Sequence, residues 1–266
     1  MVAGQRPLMR CVILAAGRGS RLAGGVGVKP LVPVLGLPLL ERTIVTASEA
    51  GLSEFFVVTG CQAPRVESLV SGLRLRRNLE IRAIRNEAWQ GGNAGSLLAA
   101  RHVLDEDFVL LVADHVFDPA ILRRLLGQHL EEGEIVLAVD FRVADNALVD
   151  VEDATKVAVR GQWVAAVGKE LLEYDAFDTG IFLCSPAILP AFEVSIREGD
   201  DSLAGGVRRL AKQRRARVLD IGDRSWVDID TPRDLRKARV LLSRSLAKPT
   251  MVSSRGQSTA GCRGGS

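Results

Sequence analysis

The length, composition and charge of the chain limit what kind of protein it can be. Its 266 residues can bury the core of one large α/β domain or of two small ones, and one domain is the simpler expectation. The sequence has no apolar run as long as a membrane span, and its four widely spaced cysteines include no Cys-x-x-Cys pair. These features argue against a disulfide framework and a zinc site, and they predict a cytoplasmic protein with free thiols.

The net charge of +3 conceals an uneven distribution. Residues 1–206 contain 20 basic and 27 acidic side chains, whereas residues 207–266 contain 15 basic and 5 acidic ones. A basic segment of this kind can contact anionic lipid or nucleic acid, but most charge runs are solvated surface. Because no aromatic residues are interleaved for base stacking, we expect no nucleic-acid partner.

The first predicted element is a buried strand that runs into a glycine-rich loop. Apolar residues from Cys11 onward lead into Gly-Arg-Gly-Ser-Arg-Leu at 17–22. The backbone of such a loop can approach a phosphate closely and present N–H groups to it. Arg21 and Lys29 add positive charge suited to a triphosphate or to a departing pyrophosphate. The segment therefore predicts an enzyme that uses a nucleotide.

Two commoner phosphate-binding loops do not fit this segment. A dinucleotide-binding fold requires Gly-x-Gly-x-x-Gly, but Leu22 stands at the third glycine position. A P-loop requires Ser or Thr after Gly-Lys, whereas Val28 precedes Lys29 and Pro30, which lacks an N–H group, follows it.

Helices and strands alternate through the first half of the chain. Apolar periodicity and turn residues predict helices over 37–50, 63–72, 93–103 and 119–131, and strands over 54–59, 79–85, 107–113 and 135–141. This alternation predicts a largely parallel sheet that is covered by helices on both faces.

The second half departs from this pattern at 148–167. Short alternating runs over 155–159 and 162–167, joined by Arg160-Gly161, predict a hairpin in a substrate-side insertion. Strands over 176–184 and 217–221 follow, with helices after Pro186 and over 204–213. The last helix begins at Thr231, a typical N-cap, and carries one apolar stripe.

Two groups of aspartates are candidate metal ligands. Asp114 lies at the carboxyl end of the strand over 107–113, where ligands bind in open α/β sheets. Asp228 and Asp230 precede the last helix. Because magnesium is commonly held by one or two carboxylates plus substrate phosphates, Asp114 and one of these two residues suffice for a magnesium site.

The ordered set of motifs from Leu14 to Pro232 resembles the sugar-phosphate nucleotidyltransferases. This set comprises Leu14-Ala-Ala-Gly-Arg-Gly-Ser-Arg-Leu22, Lys29-Pro-Leu31, Asp114 and Trp226-Val-Asp-Ile-Asp-Thr-Pro232. Further motifs resemble more narrowly the CTP:inositol-1-phosphate cytidylyltransferases: Ala113-Asp-His115, Ala154-Thr-Lys-Val157, Gly168-Lys169 and Tyr174-Asp-Ala-Phe-Asp-Thr-Gly180. The resemblance implies an α/β protein with a three-layer α/β/α, glycosyltransferase-A-like nucleotidyltransferase fold and a mixed, mainly parallel central sheet over 9–247.

The resemblance also implies roles on the nucleotide side of the site. Arg21 and Lys29 would be catalytic and would draw charge from the leaving pyrophosphate. Asp114 and Asp228 would hold Mg²⁺. The nucleotide-binding residues would be Leu14, Ala15, Ala16, Gly17, Gly19 and Ser20, with Asn93 and Ser96 reading the base or ribose unless these two are ordinary helix caps.

On the acceptor side, Lys169 would face the acceptor phosphate. Asp178 and Thr179 would form hydrogen bonds with ring hydroxyls, and Lys156 would belong to the same pocket. Other family members that activate hexose phosphates usually carry Asn before the corresponding glycine, so Asp178 favours the inositol branch.

The implied activity is transfer of a cytidylyl group from CTP to inositol 1-phosphate, giving CDP-inositol and pyrophosphate. The acceptor phosphate would attack the α-phosphorus in line, and no covalent enzyme intermediate is needed. Two alternatives stay open: transfer to another small phosphate such as a hexose 1-phosphate or phosphocholine, and a catalytically silent nucleotide-binding regulator.

The two ends of the chain carry separate expectations. Residues 1–8 are predicted to be a leader, and residues 248–266, rich in Ser, Gly and Arg, a disordered basic tail. In the resembling family the domain is often fused to a membrane enzyme. The basic C-terminus therefore suggests attachment peripheral to the membrane, near a separate membrane CDP-alcohol transferase. The oligomeric state is not predicted.

Overall fold

The computed structural model describes residues 9–19, 21–22, 28–144 and 146–246, and the side chains up to residue 243. The predicted leader, the predicted tail and Ser20 lie outside these residues. The regular elements are β1 (Arg10–Ala15), β2 (Pro33–Val34), β3 (Leu37–Pro38), α1 (Leu39–Glu49), β4 (Glu54–Thr59), α2 (Ala63–Arg77), β5 (Glu80–Arg85), α3 (Asn93–Ala99), β6 (Phe108–Val112), β7 (His115–Phe117), α4 (Pro119–Leu126), β8 (Ile135–Asp140), β9 (Lys156–Arg160), β10 (Trp163–Gly168), β11 (Ala176–Cys184), α5 (Leu189–Arg197), α6 (Leu203–Lys212), β12 (Ala216–Asp220), β13 (Trp226–Asp228) and α7 (Pro232–Leu246).

Nine of these strands form one central sheet in the described part of the chain. Their order is β5-β4-β1-β6-β11-β8-β12-β10-β9, and β9 also pairs with the start of β11. Strands β10 and β11 run against the other seven. The predicted mixed, mainly parallel sheet and the predicted hairpin, which is β9–β10, are confirmed.

Each face of the sheet is covered by helices, as the unbroken apolar strands predict. In β1, Cys11, Ile13 and Ala15 point into one core, and Val12 and Leu14 point into the other. Helices α1, α2 and α4 pack on the first face, and α3, α5 and α6 pack on the second. The three-layer α/β/α architecture follows from this arrangement.

Most differences from the predicted elements concern their ends. The helix predicted over 37–50 begins at Leu39, because Leu37–Pro38 pairs with Pro33–Val34 as a short ribbon. The helix predicted over 119–131 ends at Leu126, where Gly127 caps it. In the described residues no helix combines the length and apolarity needed to cross a bilayer.

A small two-stranded sheet, β7–β13, was not predicted and decides where the site lies. It pairs Asp228 with His115 and Trp226 with Phe117 in antiparallel register. A third core, which includes Val116, Val227 and Ala238 of α7, holds this ribbon in place. The segment before the last helix is thereby brought next to Asp114.

Candidate active site

A cleft of about 890 Å³ opens beyond the carboxyl ends of β1 and β6. It brings together most of the charged residues that the sequence singled out and several that it did not. The charged and polar residues of interest in its lining are Arg21, Asn93, Asp114, His115, Asp153, Lys169, Asp178, Asp228 and Asp230.

Asp114, His115 and Asp228 form a cluster at the base of the cleft. One ligand atom from each lies within 4.8 Å of the others. Atom Oδ1 of Asp114 and atom Oδ1 of Asp228 are buried and accept no hydrogen bond from the described residues. Buried carboxylate oxygens without a donor are costly, and hard cations such as Mg²⁺ prefer oxygen ligands. The donor set therefore fits a divalent cation held by the two predicted aspartates.

His115 is positioned by β11, the strand that carries Asp178. Its Nδ1–H donates to the carbonyl of Thr179 (2.6 Å), which leaves Nε2 3.5 Å from Asp228 Oδ1 and 3.7 Å from Asp114 Oδ1. Although burial opposes it, these carboxylates raise the pKa of His115 to about 9. Burial likewise opposes ionisation of Asp228, but His115 and Lys29 lower the pKa of Asp228 to about 2.

Gly180 allows this approach of His115. Its φ is +69°, and a Cβ atom there would lie 2.6 Å from His115 Cε1. Neither the left-handed backbone nor the close packing accommodates a larger residue. The glycine of the Asp-Thr-Gly motif therefore supports the carboxylate cluster by making room for His115.

Lys29 is a buried cation among three carboxylates. Its side chain is 9% exposed, and Nζ lies 2.5 Å from Asp114 Oδ2, 2.6 Å from Asp230 Oδ1 and 3.8 Å from Asp228 Oδ1. Burial alone would favour the neutral amine, but these carboxylates hold the pKa of Lys29 well above its usual value. Lys29 is therefore charged throughout the physiological range, as its predicted role requires.

Arg21 and Lys169 meet on one carboxylate that the sequence analysis did not identify. Asp153 Oδ2 accepts from Arg21 (2.7 Å), and Asp153 Oδ1 accepts from Lys169 (2.5 Å). Burial disfavours ionisation, but Lys169 and Arg21 hold the pKa of Asp153 well below its usual range. Arg21 also donates to Asp230 Oδ2 (2.9 Å). No local motif marks Asp153, because its partners are distant in sequence.

Asp178 is half-buried at the other end of the cleft. It lies where β11 shifts register against β8, a bulge that redirects the strand. Burial raises the pKa of Asp178 to about 6, although the N–H of Gly180 donates to its Oδ1 (2.9 Å) and favours the charged form. A carboxyl group that lines a cleft and whose charged form is disfavoured by burial is a good candidate for binding hydroxyl groups.

Three of the predicted binding residues have partners inside the protein instead. The hydroxyl of Thr179 is fully buried and donates to the carbonyl of Ala138 (2.8 Å), so it does not face an acceptor. The amine of Lys156 donates to the carbonyl of Lys169 (2.5 Å) and supports that residue from behind. The hydroxyl of Ser96 accepts from Asn86 (3.1 Å), whereas Asn93 lines the cleft.

The glycine-rich loop follows β1 directly. Leu14 and Ala15 belong to the buried strand, and the carbonyl of Ala16 accepts from Cys61 N (2.9 Å). Gly17 faces open space, whereas Gly19 (φ +65°) packs against Lys29. Because the side chains of Leu14, Ala15, Ala16, Gly17 and Gly19 are small or buried, any contact of these five residues with a nucleotide would come from their backbone.

Comparison with known proteins identifies the family. Residues 11–192 match the family model of the MobA-like NTP transferase domain. The bifunctional IPC transferase and DIPP synthase of Rubrobacter xylanophilus is 39% identical over 229 residues, which are 84% of this chain and 50% of that protein. The protein of the same name from Archaeoglobus fulgidus is 33% identical, over 91% of this chain and 45% of that protein. The chain therefore spans about half the length of these relatives.

Solved structures show the same fold. The inositol-1-phosphate CTP transferase from T. maritima superposes with a TM-score of 0.80 at 26% identity, over 91% of this chain and 97% of that chain. A UDP-glucose pyrophosphorylase complexed with UDP-glucose gives 0.71 at 18% identity, a likeness of fold alone. The predicted glycosyltransferase-A-like nucleotidyltransferase fold is confirmed. With the family model matched from the first strand into α5 and the fold shared, the chain belongs to the MobA-like NTP transferase domain family.

Proposed function

We propose that this chain transfers a cytidylyl group from CTP to inositol 1-phosphate, giving CDP-inositol and pyrophosphate. The proposal rests on one observation. A single cleft brings together two groups of charged residues: a cluster of carboxylates with a buried lysine, and a second set suited to binding the acceptor. Asp114, Asp228 and Lys29 form the first set, and Lys169 and Asp178 form the second. The names of the relatives support the choice of CTP and inositol 1-phosphate.

The family to which the chain belongs generally uses a divalent metal, and we propose Mg²⁺ here. Asp114 and Asp228 would hold it through the two buried oxygens that accept no hydrogen bond from the described part of the chain. When bound, such an ion supplies charge screening for the phosphates of the nucleotide. His115 would orient Asp228 from the protein side.

On the donor side, Lys29 and Arg21 would stabilise the negative charge that develops on the leaving pyrophosphate. Lys29 is fixed by burial and by three carboxylates, whereas Arg21 is 57% exposed and reaches into the cleft from the loop. The backbone of the loop over 16–19 would approach the triphosphate. Asn93, which lines the cleft, would contact the base or ribose.

On the acceptor side, Lys169 would bind the phosphate of inositol 1-phosphate, and Asp178 would accept hydrogen bonds from ring hydroxyls. The phosphate oxygen of the acceptor would then attack the α-phosphorus in line, and pyrophosphate would leave toward Arg21 and Lys29. Holding two polyanions in this geometry among fixed cations would promote the transfer without a covalent intermediate.

Pyrophosphate release by the purified protein tests both substrates at once. CTP, UTP, dTTP, ATP and GTP are crossed against inositol 1-phosphate, glucose 1-phosphate and phosphocholine in magnesium buffer. Release with CTP and inositol 1-phosphate alone is the expected result. Release with another pair would retain the reaction class and discard the inositol assignment. No release in any combination would favour a silent nucleotide-binding regulator.

We further propose that the chain attaches peripherally to an anionic membrane, near a separate membrane CDP-alcohol transferase that consumes its product. The exposed face of α7 carries Arg233, Arg236 and Arg239, for which the described residues supply no ion pair. Basic side chains near an anionic bilayer contribute about 1 kcal/mol each.

Co-sedimentation with vesicles tests this attachment. Binding to vesicles that contain phosphatidylglycerol, lost in the triple variant R233E/R236E/R239E, is the expected result. Vesicles of neutral phosphatidylcholine serve as the control. Equal binding of the wild type and the variant to anionic vesicles would contradict the proposal.

A further inference from the structure

One carboxylate pairs with two of the three cations that the proposed reaction assigns to phosphate groups. Asp153 uses one oxygen for Arg21, at 2.7 Å, and the other for Lys169, at 2.5 Å. Arg21 stands beside the proposed triphosphate site, and Lys169 beside the proposed acceptor site. In the free protein, therefore, neither cation presents an unpaired charge to an incoming phosphate.

The turn that carries Asp153 lies outside the central sheet. It connects β8 to β9 and is closed by backbone hydrogen bonds from Asp153 N and Ala154 N to the carbonyl of Asp150 (3.2 and 2.9 Å). The next residue, Thr155, accepts from Asp178 N (2.9 Å). The Asp153 carboxylate therefore extends from the acceptor side of the cleft to Arg21, which lies in the loop after β1.

Arg21 and Lys169 differ from the buried Lys29 in how much of each side chain is exposed to solvent. The side chain of Lys29 is 9% exposed, whereas those of Arg21 and Lys169 are 57% and 51% exposed. Exposed ion pairs contribute little to stability and exchange partners at low cost, while a buried cation cannot leave its carboxylates cheaply. The pairs made by Asp153, together with the bond from Arg21 to Asp230 Oδ2 (2.9 Å), are therefore the ones that a phosphate can replace.

We propose that Asp153 is an internal stand-in for substrate phosphate, which pairs Arg21 with Lys169 in the free protein and yields both cations when phosphate groups enter. This inference rests on the proposed function. It makes Asp153 a positioning residue that competes with anions for the site. Weakly held anions are then excluded, and both cations are released only to ligands that contact them strongly.

Binding of inorganic pyrophosphate, measured by calorimetry in magnesium buffer, tests the proposal without turnover. Asp153→Asn removes the competing charge and is expected to bind pyrophosphate about three- to tenfold more tightly than the wild type. Structural damage would weaken binding, so the direction of the change separates the two explanations. Asp153→Ala is measured in parallel, and thermal unfolding confirms that each variant is folded.

Glu152→Gln is the matched control. It removes one negative charge from the neighbouring residue, which is exposed and does not line the cleft. Its affinity for pyrophosphate is expected to equal that of the wild type. Equal or weaker binding by both Asp153 variants would overturn the inference while leaving the proposed function intact. If neither the wild type nor any of the variants bound pyrophosphate, the inference and the proposed function would both fail.

Discussion

At the scale of single residues, the charge of each ionisable side chain in the site depends on the charges of its neighbours. Lys29 and His115 are cations because carboxylates surround them, and Asp228 is an anion because both cations face it. Two buried carboxylate oxygens, one on Asp114 and one on Asp228, accept no hydrogen bond from the described residues. This imbalance is what a divalent cation would correct.

Asp114→Asn and Asp228→Asn are expected to abolish pyrophosphate release while the fold is retained. Each change keeps the shape of the side chain but removes a metal ligand charge. Release is measured with saturating magnesium, and Mn²⁺ affinity is measured separately by electron paramagnetic resonance. Near-normal release, or Mn²⁺ affinity equal to that of the wild type, in either variant would contradict the metal assignment.

Asp178 provides a prediction about pH. Its pKa is raised by burial from 3.8 to about 6, so its charged form destabilises the fold, and the penalty grows as pH rises from about 4 to 6. Asp178→Asn removes the charge and keeps an oxygen for the N–H of Gly180. We expect this variant to be more stable than the wild type at pH 8, by up to about 3 kcal/mol, and equally stable near pH 3.5.

Urea denaturation at the two pH values measures this difference. A gain at pH 8 combined with weaker use of inositol 1-phosphate would mean that Asp178 is retained for binding at the expense of stability. An Asp178→Asn variant that is no more stable than the wild type at pH 8 would show that burial does not disfavour the charged form of this carboxyl group.

At the scale of elements, the glycine-rich loop has one glycine that the fold requires and one that it does not. Gly19 has φ +65°, and a Cβ atom there would lie 2.2 Å from Lys29 Cβ, whereas no atom of the residues that the structure describes lies within 4 Å of a Cβ atom at Gly17. Gly19→Ala is therefore expected to lower stability by at least about 1–2 kcal/mol, because both the backbone and the contact are strained.

Gly17→Ala is the control for this comparison. Its unfolding midpoint in a thermal melt is expected to match that of the wild type, while that of Gly19→Ala falls. Any loss of activity in Gly17→Ala would then reflect the nucleotide contact alone. A Gly19→Ala variant as stable as the wild type would show that the loop has a different conformation in solution.

The elements that could be predicted are those in which apolar residues recur with a regular spacing. Strands such as β1 and β6 are apolar on both faces, and the hairpin β9–β10 alternates around Arg160-Gly161. The ribbon β7–β13 was missed because three residues carry no period, and its pairing joins segments that are far apart in the chain. Only the folded structure brings Asp228 to His115.

At the scale of the whole molecule, the residue types of the site were predictable and their partners were not. Lys29, Asp114 and Asp228 meet as expected from their motifs. Thr179 and Lys156 were assigned to the acceptor because they lie in its motifs, but the sheet turns their polar atoms toward Ala138 and Lys169. Asp153 was not predicted because its role depends on contacts with Arg21 and Lys169, which only the folded structure brings together.

The cleft joins a donor half and an acceptor half, and transfer between them can be observed directly. Phosphorus NMR of the purified protein with CTP, inositol 1-phosphate and magnesium follows every phosphate at once. We predict that the monoester signal of inositol 1-phosphate falls while pyrophosphate and a coupled pair of diphosphate-diester signals rise in equal amounts. An unchanged monoester signal, with or without hydrolysis of CTP, would contradict cytidylyl transfer to inositol 1-phosphate.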